Sequence, residues 1–461
     1  MPDAPPPDLV ERLRTYGQKH ALAGWDALPP PDRDALVRDL SAIDFAELDT
    51  LFRKRNDPAD ALPTPDRLAP LPVEDGESLG KSATERGEDA LRNGEVAVLL
   101  VAGGQGSRLG FDKPKGMFSV GPVSGATLFQ VHAEKVLALS HKYGQPVPFL
   151  VMTSPATHAD TTAFFAEHRN FGLADGQVTF FQQGTMPALD RETGKLLLES
   201  PGKLFLSPNG HGGTLTALAD TGLLANLKSR GVRHVFYFQV DNPLVFIADP
   251  AFVGRHIEVG SEASSKVVFK DRPEEKVGIL ALVDGKCGIV EYSDLPKELA
   301  TERERSGELR YRAGNPAIHV FSVAFLERVT TGAGRLAFHI AKKKVPHWNP
   351  TTGETVTPTS ENALKFELFV FDALPLAEKW LAVSVRREDE FAPVKNADGA
   401  DSPATCREMQ IARAVRWLAS AGVSVPAGVP VEISPRFALT AAELAAKIPV
   451  GLIVTGPTVL E

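Results

Sequence analysis

Cysteine is nearly missing from this chain: Cys287 and Cys406 are the only two in 461 residues. They are distant in sequence and lack metal-ligand spacing, so neither a disulfide framework nor a zinc site is indicated, and a reducing cytoplasm is expected. Long apolar runs are missing too. No stretch reaches the ~18 consecutive apolar residues of a membrane span, and the Pro- and Asp-rich start has no cationic segment followed by an apolar one, as a secretion signal would. Nor is there a basic excess. With 50 Lys and Arg against 58 Asp and Glu, the formal net charge is -8, which argues against nucleic-acid or membrane partners. Local clusters of Lys and Arg then read as sites for small anions. Neither an internal repeat nor a low-complexity tract is present.

What is there fits a globular protein of two or three domains, with an apolar content of 43%, ordinary for a sizeable core. Residues 1–94 read as a helical N-terminal lobe, with helical patterns over Asp8–His20 and Asp32–Phe52 and Pro-rich breaks at Pro29–Pro31 and Pro63–Pro72. Residues 95–381 alternate strands and helices, the pattern of a mostly parallel sheet covered on both faces. Strands are expected at Val96–Ala102, Pro148–Thr153, Gln177–Phe181 and His234–Val240, and helices at Thr127–Lys142, Ala156–Arg169 and Leu215–Arg230. In the first of these helices Phe129, Ala133, Val136 and Leu137 share a face. Residues 382–461 read as a small C-terminal domain with β-like runs at Val423–Ile433 and Val450–Thr455.

The segment Val96–Phe118, VAVLLVAGGQGSRLGFDKPKGMF, carries the most chemistry. A buried-type strand runs directly into Gly103, Gly104, Gly106 and Gly110, which let backbone N–H groups approach a ligand that a Cβ would block. Arg108, Lys113 and Lys115 supply countercharge for a nucleotide polyphosphate. A Walker loop needs Gly-Lys-Ser/Thr, but Gly106 is followed by Ser107 and Arg108. The dinucleotide fingerprint fails as well, because the glycine after Gly106 comes only at Gly110.

Other candidates lie further along. Phe180-Phe181-Gln182-Gln183-Gly184 ends a strand, and a glutamine amide both donates and accepts, as a uracil edge demands. A solvated strand end fits equally well. Leu206-Ser207-Pro208-Asn209-Gly210-His211-Gly212-Gly213 is a second glycine-rich loop leading into a helix, although turn chemistry alone explains its glycines. Asp241, in Asp241-Asn242-Pro243 after an apolar run, is placed where a carboxylate can hold Mg²⁺ against phosphates, or simply close an Asx-turn. The charge run Arg386–Glu390 reads as a solvated face.

The first loop resembles the LxxGGxGTRLGxxxPKGMF signature of the eukaryotic-type UDP-sugar pyrophosphorylases, most closely the UDP-N-acetylglucosamine pyrophosphorylases. Lys276-Val277-Gly278, Val290-Glu291-Tyr292-Ser293, Arg312-Ala313-Gly314-Asn315, the run Lys365–Asp372 and the run Arg387–Asn396 resemble further segments of that family in the same order, over about 95 to 400. The resemblance implies a Rossmann-like, glycosyltransferase-A-like α/β core with a mixed sheet, a helical N-terminal lobe and a small C-terminal α+β domain closing over the site.

It also implies roles. Ala102, Gly103, Gly104, Gln183 and Gly210 would hold the nucleotide, with Gln183 on uracil. His211, Gly278, Glu291 and Asn315 would surround the sugar, and Asp241 would hold Mg²⁺. Arg108 would grip the β- and γ-phosphates, Lys115 would stabilise charge on the α-phosphate and Lys395 would bring in the sugar phosphate. The implied reaction joins UTP to N-acetylglucosamine 1-phosphate by direct in-line attack, with no partner beyond these small molecules. Two departures from the family pattern stand out: His211 replaces the Asn usual in acetylglucosamine enzymes and matches the His of glucose enzymes, and Thr214-Leu215 replaces Leu-Tyr. Glucose or galactose 1-phosphate remains open as the substrate, as does a UDP-sugar-binding regulator without turnover.

Overall fold

The computed structural model describes residues 4–56, 64–331 and 336–461. The chain forms two compact units, one of residues 1–61, 183–213 and 336–370, the other of 62–182, 214–335 and 371–461. Residues 4–56 of the helical lobe thus share a unit with two distant segments, and 64–94 fall in the other.

The larger unit is built on a mixed sheet. Strands His234–Gln239, Val96–Val101, Phe149–Thr153 and Val178–Gln182 lie side by side in that order and run parallel. Their β-branched and aromatic content suits strands buried on both faces, and every residue of Val96–Val101 and Phe149–Thr153 is buried. The expectation of a mostly parallel sheet is corrected beyond His234–Gln239. There His319–Ser322 pairs antiparallel with it, and Ala263–Phe269 pairs antiparallel with His319–Ser322 and parallel with Trp380–Ser384. The strand Trp380–Ser384 therefore joins the sequence around residue 382 to the central sheet.

Helix Leu128–Tyr143 forms where periodicity places it. Thr127 caps its N-terminus by accepting from the Gln130 amide, and Gly144 ends it with φ +69°. Phe129, Ala133 and Val136 are fully buried. The helix expected over Ala156–Arg169 is shorter, His158–Glu167, because Arg169, Asn170 and Phe171 take positive φ. The helix expected over Leu215–Arg230 is two, Gly213–Asp220 and Leu223–Ser229, parted by Gly222 at φ +73°.

Near the C-terminus the sequence pattern misleads. Only Val431–Ile433 of its run is a strand, paired with Thr458–Leu460. Val450–Thr455 is not a strand: Val450 and Ile453 are 106% and 79% exposed, and the run reaches the small C-terminal core only through buried Val454 and half-buried Leu452. The 18-residue helix Pro403–Ser420 dominates instead, opened by a capping box between Ser402 and Thr405 with Pro403 in its first turn. Arg407 donates to the Ser119 carbonyl at 2.9 Å and Gln410 to that of Val120 at 2.9 Å, which anchors this helix on the chain just after the first glycine loop.

The smaller unit combines helices with short antiparallel sheets. The pattern over Asp32–Phe52 is two helices, Pro30–Ala42 and Phe45–Lys54, because Asp44 caps the second by accepting from the Ala46 and Glu47 amides. Leu9, Leu13, Leu36 and Leu40 pack with Leu189, Leu196 and Phe366. Gln18 ties sequence-distant segments together, donating to the Gly194 carbonyl and accepting from the Leu196 amide, both at 2.9 Å.

Candidate active site

The first glycine loop starts where strand Val96–Val101 ends. It folds back on itself through Gly106 N–H to the Lys113 carbonyl at 2.9 Å and Lys115 N–H to the Gly104 carbonyl at 3.0 Å. Its glycines serve different ends. A Cβ on Gly116 would stand 2.2 Å from the Phe129 ring and one on Gly106 2.8 Å from the Phe111 carbonyl oxygen, so both are demanded by packing. A Cβ on Gly104 would meet nothing within 4 Å. Gly104 leaves an exposed stretch of main chain, beside buried Ala102 and half-buried Gly103. Arg108 lies exposed in the single turn Ser107–Leu109.

Asp241 stands just past the carboxyl end of strand His234–Gln239, next to Val96–Val101 in the sheet. The Lys115 ammonium is 3.7 Å from its carboxylate. The turn that carries Asp241 is held from below by two buried groups of helix Leu128–Tyr143. His132 Nε2 donates to the Val240 carbonyl at 2.9 Å, and the Lys135 ammonium donates to the carbonyls of Pro243 and Val245, the latter at 2.7 Å. Burial pushes Lys135 well below the ordinary lysine range and His132 down to about 3. His132 is thus neutral at pH 7, as its donation from one ring nitrogen allows.

The segment with Lys395 is bonded to the same turn. Val394 N–H donates to the Asp241 carbonyl at 2.9 Å, and Asn242 donates to the Glu390 carbonyl at 2.7 Å while accepting from the Ala392 amide at 3.0 Å. The Lys395 ammonium lies 4.0 Å from Asp401 and over the Phe391 ring.

Gly278, Glu291 and Asn315 come together across neighbouring strands. Asn315 N–H donates to the Gly278 carbonyl at 2.8 Å, and a Cβ on Gly278 would stand 3.2 Å from Glu291 Oε1. Burial, then Asp294, raises the Glu291 pKa, and Lys395 opposes the rise. Glu291 is therefore a half-buried carboxylate with a cation in electrostatic reach. The Asn315 side-chain oxygen Oδ1 accepts from the Ala317 amide at 2.9 Å, a local Asx-type bond that fixes the side chain.

Gln183, Gly210 and His211 belong to the smaller unit. Gln183 is buried and follows the end of strand Val178–Gln182. Gly210 has φ +83°, and a Cβ there would stand 2.4 Å from the Leu368 carbonyl oxygen, so no other residue fits. His211 Nδ1 accepts from the Val370 amide at 3.2 Å, which leaves the proton of the neutral ring on Nε2. Burial, then the neighbouring His339, lowers its pKa to about 4.

A Mg²⁺ ion can be tested against these groups. Among the described residues no three His, Cys, Asp or Glu side chains cluster as a metal site. A lone carboxylate such as Asp241 fits an ion that keeps most of its water and takes the rest of its ligands from substrate phosphates.

Sequence reasoning missed the support beneath these groups. Glu390, read as part of a solvated charge run, is 8% exposed and its carboxylate grips the Lys266 ammonium at 2.6 and 2.8 Å. The run is solvated only in part. A usable signal was Lys266 itself, a single cation in the otherwise uncharged strand Ala263–Phe269.

A strand-end glycine loop with paired Lys and Asp on a mixed α/β sheet defines a nucleotidyltransferase frame. A family model described as UTP–glucose-1-phosphate uridylyltransferase matches residues 60–401, and the chain belongs to that family. UDP-N-acetylglucosamine diphosphorylase 2 of Arabidopsis thaliana is 37% identical over 93% of this chain and 88% of its own length. UDP-N-acetylglucosamine pyrophosphorylase of Saccharomyces cerevisiae is 37% identical over 93% and 94%. Among solved structures, the Trypanosoma brucei uridine diphosphate N-acetylglucosamine pyrophosphorylase, in complex with an inhibitor, superposes with a TM-score of 0.82 at 28% identity, covering 100% of this chain and 99% of that one.

Proposed function

We propose that the protein transfers a uridylyl group from UTP to N-acetylglucosamine 1-phosphate, giving UDP-N-acetylglucosamine and pyrophosphate. Membership of the uridylyltransferase family supplies the reaction class, and the relatives named for N-acetylglucosamine favour that sugar. The observation that carries the chemistry is the joining of Lys115, Asp241 and the Lys395 segment at one strand end, by the 3.7 Å ammonium–carboxylate approach and the Val394–Asp241 hydrogen bond.

A phosphate oxygen of the sugar phosphate attacks the α-phosphorus of UTP. The bond from that phosphorus to the bridging oxygen breaks, and pyrophosphate leaves with the electron pair. Two anions must meet, so the site has to align them and neutralise their repulsion. In this reading Arg108 and the main chain at Ala102, Gly103 and Gly104 hold the outer phosphates, Lys115 stabilises charge growing on the α-phosphate, and Lys395 draws in the sugar phosphate. Gln183 reads uracil, with Gly210 allowing the close turn beside it. Gly278, Glu291 and Asn315 surround the sugar, and His211 of the smaller unit offers a neutral N–H donor. Asp241 would hold Mg²⁺, which when bound supplies divalent charge against the phosphates.

The reverse reaction tests this. Purified protein given UDP-N-acetylglucosamine, pyrophosphate and MgCl₂ should form UTP. Absence of UTP at any protein concentration would exclude the assignment, and faster pyrophosphorolysis of UDP-glucose would reassign the sugar, an outcome that His211 keeps worth measuring.

A further inference from the structure

Beneath the candidate active site lies a buried ionic cluster to which the proposed reaction gives no part. Lys266, on strand Ala263–Phe269, is 0% exposed. Its ammonium is bonded to both Glu390 carboxylate oxygens and to Asp249 at 2.8 Å, and it lies between the rings of Phe246 and Phe252, 5.7 and 5.5 Å away. Asp249 also caps the helix Pro250–Glu258.

Glu390 is the joint of this cluster. One carboxylate oxygen accepts from the Phe246 amide at 3.3 Å, its main-chain carbonyl accepts from Asn242, and five residues on stands Lys395. A buried pair of this kind is weak evidence for stability, since well-packed apolar replacements are often neutral or stabilising. What it does here is geometric: Lys266 reaches across from one strand to fix both the turn after Asp241 and the start of the Lys395 segment.

We propose that Lys266 and Glu390 are positioning residues that hold the Lys395 segment in register with Asp241, so that the sugar phosphate meets the nucleotide at reacting distance. This rests on the uridylyltransferase reading above. The pair touches no substrate and acts through Asn242, the Asp241 carbonyl and Val394.

The test is the double variant Lys266→Met/Glu390→Gln, which removes the charges of Lys266 and Glu390, keeps an oxygen for the Phe246 amide and leaves Asp249 to its helix cap without the ammonium. The expected result is a folded protein with a melting temperature lowered by no more than about 10 °C, since Asp249 loses its ammonium, and UTP affinity by calorimetry within about threefold. Turnover with N-acetylglucosamine 1-phosphate should nevertheless fall about 30-fold to 100-fold, the size of loss that a misplacement near 1 Å produces. A folded double variant that keeps wild-type kcat overturns the proposal.

If the double variant does not fold, Glu390→Gln alone decides: a kcat lowered about fivefold or more at unchanged melting temperature supports the role, and unchanged kcat overturns it. Wild type and Lys395→Ala are run alongside. A wild type without turnover removes the uridylyltransferase reading and this role with it, whereas an active wild type, a crippled Lys395→Ala and an unaffected double variant remove the positioning role alone.

Discussion

Lys115 and Asp241 face each other at 3.7 Å, with side chains only 18% and 12% exposed. They come from different parts of the chain, Lys115 from the turn that closes the first glycine loop and Asp241 from the neighbouring strand end. In the proposed reaction an ammonium here would meet the negative charge of a polyphosphate with little competition from water, which would make its contribution largest where charge accumulates. Lys115→Ala should lower kcat by roughly 10²- to 10³-fold while UTP affinity falls far less. Steady-state kinetics with calorimetry checks this, and an unchanged kcat would refute the role.

Removing the carboxylate should expose the metal dependence. Asp241→Asn keeps the shape of the side chain but gives up the anion, so the Mg²⁺ concentration for half-maximal rate should rise at least about tenfold. A magnesium titration of both proteins reads it. An identical Mg²⁺ curve would place the ion elsewhere.

The glycines separate packing from ligand approach. Gly104→Ala should leave thermal stability within about 0.5 kcal/mol, since nothing lies within 4 Å of the added Cβ, yet weaken UTP binding if the loop main chain meets phosphates. Gly210→Ala should destabilise by about 1–3 kcal/mol, because φ is +83° and the Leu368 carbonyl oxygen blocks the Cβ. Urea unfolding and nucleotide calorimetry on both variants give the comparison.

Buried histidines predict acid lability. Burial holds His132 and His256 at about 3 and His211 and His234 at about 4. Their native pKa values lie below the unfolded value of 6.5, so the unfolded state takes up protons first as pH falls. The stability they contribute is full above pH 6.5 and is lost progressively down to about pH 4 for His211 and His234 and about pH 3 for His132 and His256, by about 1.4 kcal/mol per pH unit for each histidine that titrates. Denaturant midpoints between pH 7.5 and 4.5 should fall steeply. His211 should give no inflection in activity between pH 6 and 8, because it is neutral throughout.

Much of this was legible in the sequence. The i, i+4 spacing of Phe129 and Ala133 marks the helix, and the apolar runs before Gly103 and Asp241 mark the strands that present the loop and the carboxylate. Gly278, Glu291 and Asn315, distant along the chain, were grouped by motif resemblance and do meet in space. The smaller unit was not legible, because Gln18 finds its partners Gly194 and Leu196 some 176 residues away and no local pattern announces such a pairing. Glu390 was hidden for the same reason. A charge in a charged run looks solvated until its partner Lys266, 124 residues earlier, is seen beside it.

Pyrophosphate release tests the central claim most directly. The protein with MgCl₂ and UTP is offered the 1-phosphates of N-acetylglucosamine, N-acetylgalactosamine, glucose and galactose in separate reactions. The account predicts release with all the features of turnover and highest kcat/KM for N-acetylglucosamine 1-phosphate. No release with any of the four would contradict it.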